Sequence, residues 1–544
     1  MHGLTLPETL RLRSVTHGDK PYLSMSDGGV ETFAEVYHHS CCAAADMAHQ
    51  GVKAGDRVLI MAANSLEAIH AWFGANLLGA TEVWINPALR GRPLQHAVAV
   101  SKARVLVTDQ WNEVIAQGIH GTEVITVLLI GQQPPGDVEA VHRIARFDDR
   151  SGADTVVLPD SYDHRSTGSI VFTSGTTGPA KGVLMPHRQL RLIADTSAHG
   201  VRMTDADIFY CIHPMHHTAG KFMVVFAAMT VGAHVVLERQ FDPVQWLDNI
   251  RRHNATIGFG HGPMLEMIHN TPERSDDADN PVSRIMAAPM PKKIALDFER
   301  RFDLKAVELW GMTEVCLPTW RPLDEPLRPG SCGKVLTEYF DLRIADPDTD
   351  EPVPAGEVGE LQVRPLLPFT MMQGYEGQPE KTLTAWRNFF FHTGDLGWMD
   401  CDGYVYFTDR VGDRIRRRAE NISTYDIESA IYEIEAVAEC AAVAVASDFD
   451  GDDDIKVCIV AAPGAQVDPV DVIRHCADSL PHHMVPRYIE LLEQLPRTIT
   501  KKVIKAALRE SGTAGAWDRR TAGIELRSLY TTAPTVGSKE GSRT

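Results

Sequence analysis

Apolar and polar positions along this chain repeat with two different periods, and the changeover divides it. Through the first third, short apolar runs of strand length alternate with longer stretches whose apolar residues recur every three or four positions. Residues 31–50 predict a helix, RVLIMA at 57–62 a strand, and SLEAIHAWFGANLLGA at 65–80 a helix ending at Gly79. TEVWINPAL predicts the next strand, with ARVLVTD at 103–109 and VITVLLIG at 124–131 continuing the alternation. This pattern predicts a largely parallel α/β architecture. A polar stretch, 132–169, leads into the apolar run Ile170, Val171 and Phe172. Beyond it, HRQLRLIADTSAHG predicts a helix and DADIFYCIHP at 205–214 a strand. The block KFMVVFAAMTVGAHVVLE at 221–238 approaches membrane-span hydropathy, but Gly232 and His234 break it, so helix, turn and strand account for it better. Residues 241–260 repeat helix then strand, and TPERSDDADN at 271–280 is expected as a solvated loop. SRIMAAPMP, a charged helical segment and KAVELWG follow, the last expected as a strand that ends at a crevice.

From residue 331 onward the period shortens. YFDLRIAD, GEVGELQVR and GYVYFTD, separated by Gly, Pro and Asp, predict short strands and an appended β-rich subdomain. At 409–423 the chain turns basic, and Ser423 with Asp426 has the spacing of a helix capping box. KVCIVAAP, DPVDVIRHCADSL and YIELLEQLP then predict strand, helix and strand. The expected organisation is a domain over 1–409, a hinge at 410–412, a small C-terminal α/β domain over 413–520, and a tail over 521–544.

A chain of 544 residues exceeds what one core supports. Its formal charge of −19 disfavours loose binding to nucleic acid or anionic membrane, although a nucleotide site needs only a local positive cluster. The start, MHGLTLPETLRLRS, lacks a secretory apolar core and no run of 18 apolar residues follows, so a cytoplasmic location without membrane contact is expected. The nine cysteines form no metal-binding CxxC pair and no staple pattern, which fits reduced thiols.

Chemistry concentrates first in TSGTTGPAKG at 173–182. Thr173, Ser174, Thr176 and Thr177 offer hydroxyls, Gly175 and Gly178 permit close backbone approach, and Lys181 adds a positive charge, a combination that wraps an anion. The spacing is not GxxxxGK[ST], because Ala180 stands where glycine is required, and a Gly/Ser/Thr surface turn has the same composition. In WGMTE, Trp310 supplies an aromatic wall, Thr313 can orient a phosphate oxygen and Glu314 can hold Mg2+. His216 and His217 point in different directions in an extended segment, which disfavours one shared metal; a structural imidazole and a substrate-pocket role for His217 both remain open. Asp395, within HTGDLG, can accept the two hydroxyls of a ribose or close an Asx turn. Arg410 can meet ribose or phosphate, and Lys501 and Lys502 stand where a closing domain can deliver an ammonium, or simply face solvent.

Taken together, TSGTTGPAKG, WGMTE, HTGDLG, DRVGDRIRRRAENIS and LPRTITKKVIK resemble, in order, the adenylate-forming acyl-CoA synthetase superfamily over residues 30–510. The DRxxxxIRRRxENIS form looks most like the crotonobetaine/carnitine-CoA ligase branch. The resemblance implies a large N-terminal domain binding ATP and acid and a mobile C-terminal lid. It places the phosphate loop at Ser174, Thr176, Thr177 and Lys181, phosphate and magnesium contacts at Thr313 and Glu314, the ribose carboxylate at Asp395, the nucleotide arginine at Arg410 and the adenylation lysine at Lys502. His217 matches the pocket histidine, and adenine is expected near Ala287, Ala288 and Pro289 and near Glu308 to Gly311, which include Trp310. The implied reaction is ATP-dependent acid activation with Mg2+, then transfer to CoA, with Arg416, Arg417 and Arg418 as candidates to meet CoA phosphates. Departures stand at Gly412, at Ala419 on the acceptor side, and at Lys501. Transfer to a carrier protein, an amine or another small nucleophile is the alternative acceptor chemistry, and an ATP-binding protein without turnover the non-enzymatic one. Trp310, His216, His217, Gly260, His261 and Met290 suggest a compact, partly polar pocket for a small or medium organic acid; dimerisation rests on the resemblance alone.

Overall fold

Four neighbouring strands, Arg57–Met61, Thr81–Trp84, Val105–Thr108 and Thr126–Leu129, are buried on both faces and pair in parallel, which is why they read as mostly apolar rather than alternating, with Glu82 the exception. The computed structural model describes residues 3–132, 143–173, 180–410, 415–417, 420–422, 424–447, 453–480, 484–497 and 503–526. Contacts divide the chain into two units, one comprising residues 1–393 and 397–407, the other 394–396 and 408–544.

In the first unit, the parallel strands belong to an eight-stranded sheet. Its order is Gly374–Tyr375, Lys181–Pro186, Thr167–Thr173, Thr81–Trp84, Arg57–Met61, Val105–Thr108, Thr126–Leu129 and Arg143–Arg146. The antiparallel pair Thr167–Thr173 and Lys181–Pro186 carries the two ends of the candidate anion loop. The helices Phe33–His49 and Leu66–Leu77 flank the strand Arg57–Met61 in sequence and pack side by side in parallel, His39 against His70 and Ala43 against Gly74, each with a side-chain cap, from Thr32 to the Glu35 N–H and from Ser65 to the Ala68 N–H. They meet at Gly74, where a β-carbon would stand 2.9 Å from the Ala44 nitrogen and the Ser40 carbonyl oxygen. Ile69, Trp72 and Phe73 are buried beside that contact, each side chain contributing roughly 1.5–3 kcal/mol.

A second, fourteen-stranded sheet begins with the hairpin Pro21–Met25 and Gly28–Thr32 and continues through His234–Leu237, Ile208–Cys211, Ile257–Gly260, Arg284–Ala287 and Lys305–Met312. Pairing is parallel from Pro21–Met25 through Lys305–Met312 and antiparallel from there on, through Cys316–Trp320 and Gly333–Val335. The sheet then takes in Tyr404–Arg410, Phe390–Met399, Gly359–Pro365 and Phe340–Ala345. The β-rich region is therefore hydrogen-bonded into the parallel sheet at Lys305–Met312 rather than appended beside it. Its strand Phe340–Ala345 alternates in burial, as a half-covered antiparallel strand does. The acidic stretch 271–280 is an irregular, mostly exposed loop as expected, except at Asp277, which is buried and paired with Arg301 at 2.7 Å.

In the second unit, Val437–Ala446, Asp453–Ala461, Tyr488–Leu491 and Trp517–Asp518 form a four-stranded sheet covered by the helices Thr424–Ile431 and Pro469–Ser479. Asp468 caps the second helix, while Ser423 of the expected capping box lies outside the described residues. Among the described residues no helix is long and apolar enough to cross a membrane.

Candidate active site

The parallel strands Lys305–Met312, Arg284–Ala287, Ile257–Gly260 and Ile208–Cys211 lie side by side, so their carboxyl ends open along one edge. That edge is where open α/β sheets receive ligands. It brings together Thr313 and Glu314, Ala288 and Pro289, His261, and the turn from His213 to His217. His261 Nδ1 lies 3.0 Å from the Ala288 carbonyl oxygen, and its ring packs edge-on to His213 at 4.6 Å. Asn64 fixes the histidine turn from the other sheet, donating to the His213 carbonyl at 3.0 Å and accepting from the Met215 N–H at 2.9 Å.

Trp310 and Gly311 lie on the last strand of the parallel set. A β-carbon on Gly311 would stand 2.1 Å from the Cys316 carbonyl oxygen, so only glycine lets the chain fold back here. Thr313 is held by its carbonyl, which accepts from Gln189 Nε2 at 2.8 Å, and its hydroxyl meets that of Thr218 at 3.3 Å. Thr218 follows His217 directly, so this contact joins the WGMTE segment to the histidine turn.

Glu314 is buried, and its Oε1 accepts from the Tyr375 hydroxyl at 3.0 Å. Over the Tyr375 ring stands the Lys181 ammonium, 4.1 Å from the centroid. Tyr375 thereby places the candidate phosphate lysine and the candidate magnesium carboxylate on one side chain. Burial, together with the Glu314 charge, pushes its phenol well above the ordinary value, so the hydroxyl stays a donor. Opposite Lys181 in the strand pairing stands Thr173, whose hydroxyl is buried without a hydrogen-bond partner among the described residues. An unsatisfied hydroxyl beside an ammonium suits a phosphate oxygen, and the carboxylate and hydroxyl oxygens of Glu314 and Thr313 suit Mg2+, a hard cation. The residues present fit a magnesium nucleotide.

Beneath this edge, Lys221 is wholly buried and donates to both Glu82 oxygens at 2.7 and 2.8 Å and to the Ser169 hydroxyl at 3.1 Å. Ser169 lies on the strand that ends at Thr173, while Lys221 sits on the π-helical stretch Ala219–Phe226 that follows the histidine turn. Burial, with the Lys221 charge adding to it, holds His216 at about 4, and burial above all keeps His213 far below the usual imidazole range. Both are neutral near pH 7. Burial pushes the Glu308 carboxyl, beside the Ala288 turn, well above its ordinary value against the opposing Met290 N–H and Arg321 charge.

Of the other expected residues, Asp395 is buried within the strand Phe390–Met399 and Arg410 ends the strand Tyr404–Arg410. Arg416 and Arg417 lie on the short strand Ile415–Arg417. Ser174, Gly175, Thr176, Thr177, Gly178, Gly412, Arg418, Ala419, Lys501 and Lys502 lie outside the described residues. Sequence reasoning missed Asn64, Glu82, Gln189, Lys221 and Tyr375. Lys221 and Glu82 carried a signal, each being a lone charge inside an apolar run that becomes fully buried.

A crevice at strand carboxyl ends, with a lysine and an unpaired hydroxyl at the base of a glycine-hydroxyl loop and a buried carboxylate of a kind that can hold Mg2+ across a tyrosine, defines a nucleotide-using α/β enzyme. The chain belongs to the AMP-binding enzyme family, whose profile matches residues 10–376, with the AMP-binding enzyme C-terminal domain matching residues 426–502. It is 30% identical over 468 residues to a crotonobetaine/carnitine–CoA ligase of Salmonella enteritidis, covering 84% of this chain and 89% of the relative. The corresponding ligase of Salmonella typhi is 30% identical over 466 residues, with the same coverage. In fold the chain is similar to the anthranilate CoA ligase AuaEII in complex with anthranoyl-AMP (TM-score 0.82, 22% identity, 94% of this chain and 98% of that one). ATP-bound MatB from Rhodopseudomonas palustris gives a TM-score of 0.81 at 24% identity, covering 93% and 99%. The o-succinylbenzoate CoA synthetase MenE from Bacillus subtilis, in complex with ATP and magnesium ion, gives 0.77 at 23%, covering 92% and 98%.

Proposed function

We propose that this chain activates a small or medium carboxylic acid with ATP and transfers the acyl group to CoA. The observation that carries the reading is the Lys181–Tyr375–Glu314 arrangement at the base of the loop, in a chain whose relatives are named CoA ligases. A carboxylate oxygen of the acid attacks the α-phosphorus of ATP, the α–β bridging P–O bond breaks, and pyrophosphate leaves with that electron pair. The acid is already ionised, so no general base is needed. Both reactants are anionic, and at an effective dielectric of about 20 two unit charges 4 Å apart repel by roughly 4 kcal/mol, so the site must supply compensating positive charge. Lys181 and Lys502 provide ammonium groups, Thr173 to Gly178 cradle phosphate oxygens, Asp395 and Arg410 hold the ribose side, and Ala288, Pro289, Trp310 and Gly311 flank the adenine. Glu314, with Thr313, would hold a Mg2+ that neutralises phosphate charge.

In the second half-reaction the CoA thiolate attacks the acyl carbonyl, and the C–O bond to AMP breaks. His217, at the acid end of the crevice, gates this step. Adenylation and thioester formation require different groups at one carbon, which is met if residues 413–520 turn about a hinge at 410–412 and withdraw Lys502. CoA is favoured over a carrier protein by the names of the relatives. We place the chain in the cytoplasm, where nine scattered cysteines without a staple pattern fit reduced thiols.

Lys502→Ala tests the division of labour. Adenylation of the acid should fall by two orders of magnitude or more, while thioester formation from supplied acyl-adenylate should fall less than tenfold. Equal rates for variant and parent in both separated assays would remove Lys502 from the mechanism.

A further inference from the structure

On the far edge of the first unit, away from the crevice, three elements converge on a cluster that the reaction does not use. Glu31 comes from the hairpin strand Gly28–Thr32, His39 from the helix Phe33–His49, and His70 from the helix Leu66–Leu77. Each offers one ligand atom, and these atoms lie within 4.8 Å of one another. His70 Nε2 is 2.7 Å from Glu31 Oε2, and His39 Nδ1 is 3.1 Å from Glu31 Oε1. The other nitrogen of His70, Nδ1, is 2.6 Å from Asp149 Oδ2. His70, Asp149 and Glu31 are buried and only His39 reaches the surface: the side-chain exposures are 0, 7, 9 and 15% in that order.

We propose that Glu31, His39 and His70 form a zinc-binding site, with Asp149 orienting His70 from behind. Two imidazoles and a carboxylate are ordinary Zn2+ ligands, at bonds of about 2.0–2.2 Å. A carboxylate on the far nitrogen of a ligating imidazole fixes its tautomer and raises its basicity, and Asp149 stands in that place. With three protein ligands, one coordination position is left to water on the side where His39 reaches the surface.

The charges support the exchange. Without metal, the carboxylates of Glu31 and Asp149 are offset by His70, hydrogen-bonded to both, and by Arg150, whose Nη1 is 3.0 Å from Glu31 and 2.9 Å from His39. Zn2+ entry displaces the Arg150 guanidinium, whose side chain is already half exposed, and sets a divalent cation against the two carboxylates in its place. The bound ion ties the hairpin and both helices together at the edge of the sheet.

The experiment is zinc titration of the chelator-stripped full-length chain by calorimetry, with Co2+ visible absorption reporting the ligand set and circular dichroism the fold of each variant. The parent should bind zinc with micromolar affinity or tighter, and its melting temperature should rise with zinc. One equivalent of bound metal should vanish in His39→Gln and in Glu31→Gln. Asp149→Asn should weaken binding about 10- to 100-fold without abolishing it. His38→Gln, altering the neighbouring imidazole, should bind as the parent does. Absence of zinc uptake by the parent, or uptake unchanged in both His39→Gln and Glu31→Gln, would overturn the assignment.

Discussion

Replacing Lys221 with methionine isolates the buried ion pair that underlies the crevice. The ammonium makes two contacts to Glu82, at 2.7 and 2.8 Å, and both side chains are 0% exposed. At an effective dielectric of about 20 the attraction across that separation is roughly 6 kcal/mol, and removing each ion from water costs several kcal/mol. The intact pair is therefore near balance, but a single substitution is not. Lys221→Met keeps the volume and leaves Glu82 buried with only the Ser169 hydroxyl, a loss of about 3–5 kcal/mol. Lys221→Met combined with Glu82→Gln removes both charges and should recover at least half of that loss. Urea unfolding followed by tryptophan fluorescence reads it out, since Trp72 lies 5.7 Å from the ammonium. Because Ser169 and Lys221 support the strand ending at Thr173 and the helix after His217, kcat/KM should fall and recover in the same order. A single-variant cost below about 1 kcal/mol, or a double variant as unstable as the sum of the two singles, would refute the reasoning.

Tyr375→Phe removes the hydroxyl bonded to Glu314 and keeps the ring under Lys181; kcat/KM for ATP should fall about tenfold or more, the worth of a hydrogen bond to a charged group. Tyr375→Leu, which also loses the cation–π contact, should fall further in the same steady-state assay. Gly311→Ala, with its β-carbon driven toward the Cys316 carbonyl, should cost more than about 2 kcal/mol in denaturant unfolding. His187 is buried and held at about 4 by burial above all, against 6.5 for the ordinary imidazole. Its folded value is lowered, so between pH 6.5 and 4 the unfolded chain takes up a proton that the folded chain refuses, and stability is lost as pH falls. His187→Leu should remove up to about 3 kcal/mol of that acid-limb slope in melts across the window. An unchanged slope would place the acid sensitivity elsewhere.

The helices and parallel strands were legible because full burial makes a period visible. Leu66–Leu77 and His187–Gly200 carry their caps or breaks in sequence, and Thr126–Leu129 is apolar after its first residue. The joining of the β-rich region to the parallel sheet was not legible, because the Lys305–Met312 and Cys316–Trp320 pairing depends on a tight return that Gly311 permits and no local period announces. Motif residues such as Thr313 and Glu314 could be picked out as candidates because their types and order are restrictive. Their supports could not: Gln189, Asn64 and Tyr375 reach the site across 124, 149 and 61 positions of sequence. Asp277 shows the same limit in reverse, an acidic residue in a polar stretch whose partner Arg301 lies 24 positions on.

Acid-dependent exchange of labelled pyrophosphate into ATP, run with Mg2+ across a panel of carboxylic acids and followed by mass analysis of the enzyme-bound product, tests the central claim most directly. Exchange that requires one of the acids, with an acyl-AMP recovered and an acyl-CoA formed when CoA is added, is the expected result. Nucleotide turnover that yields ADP and phosphate, or folded, ATP-binding protein that supports no exchange with any acid, would contradict it.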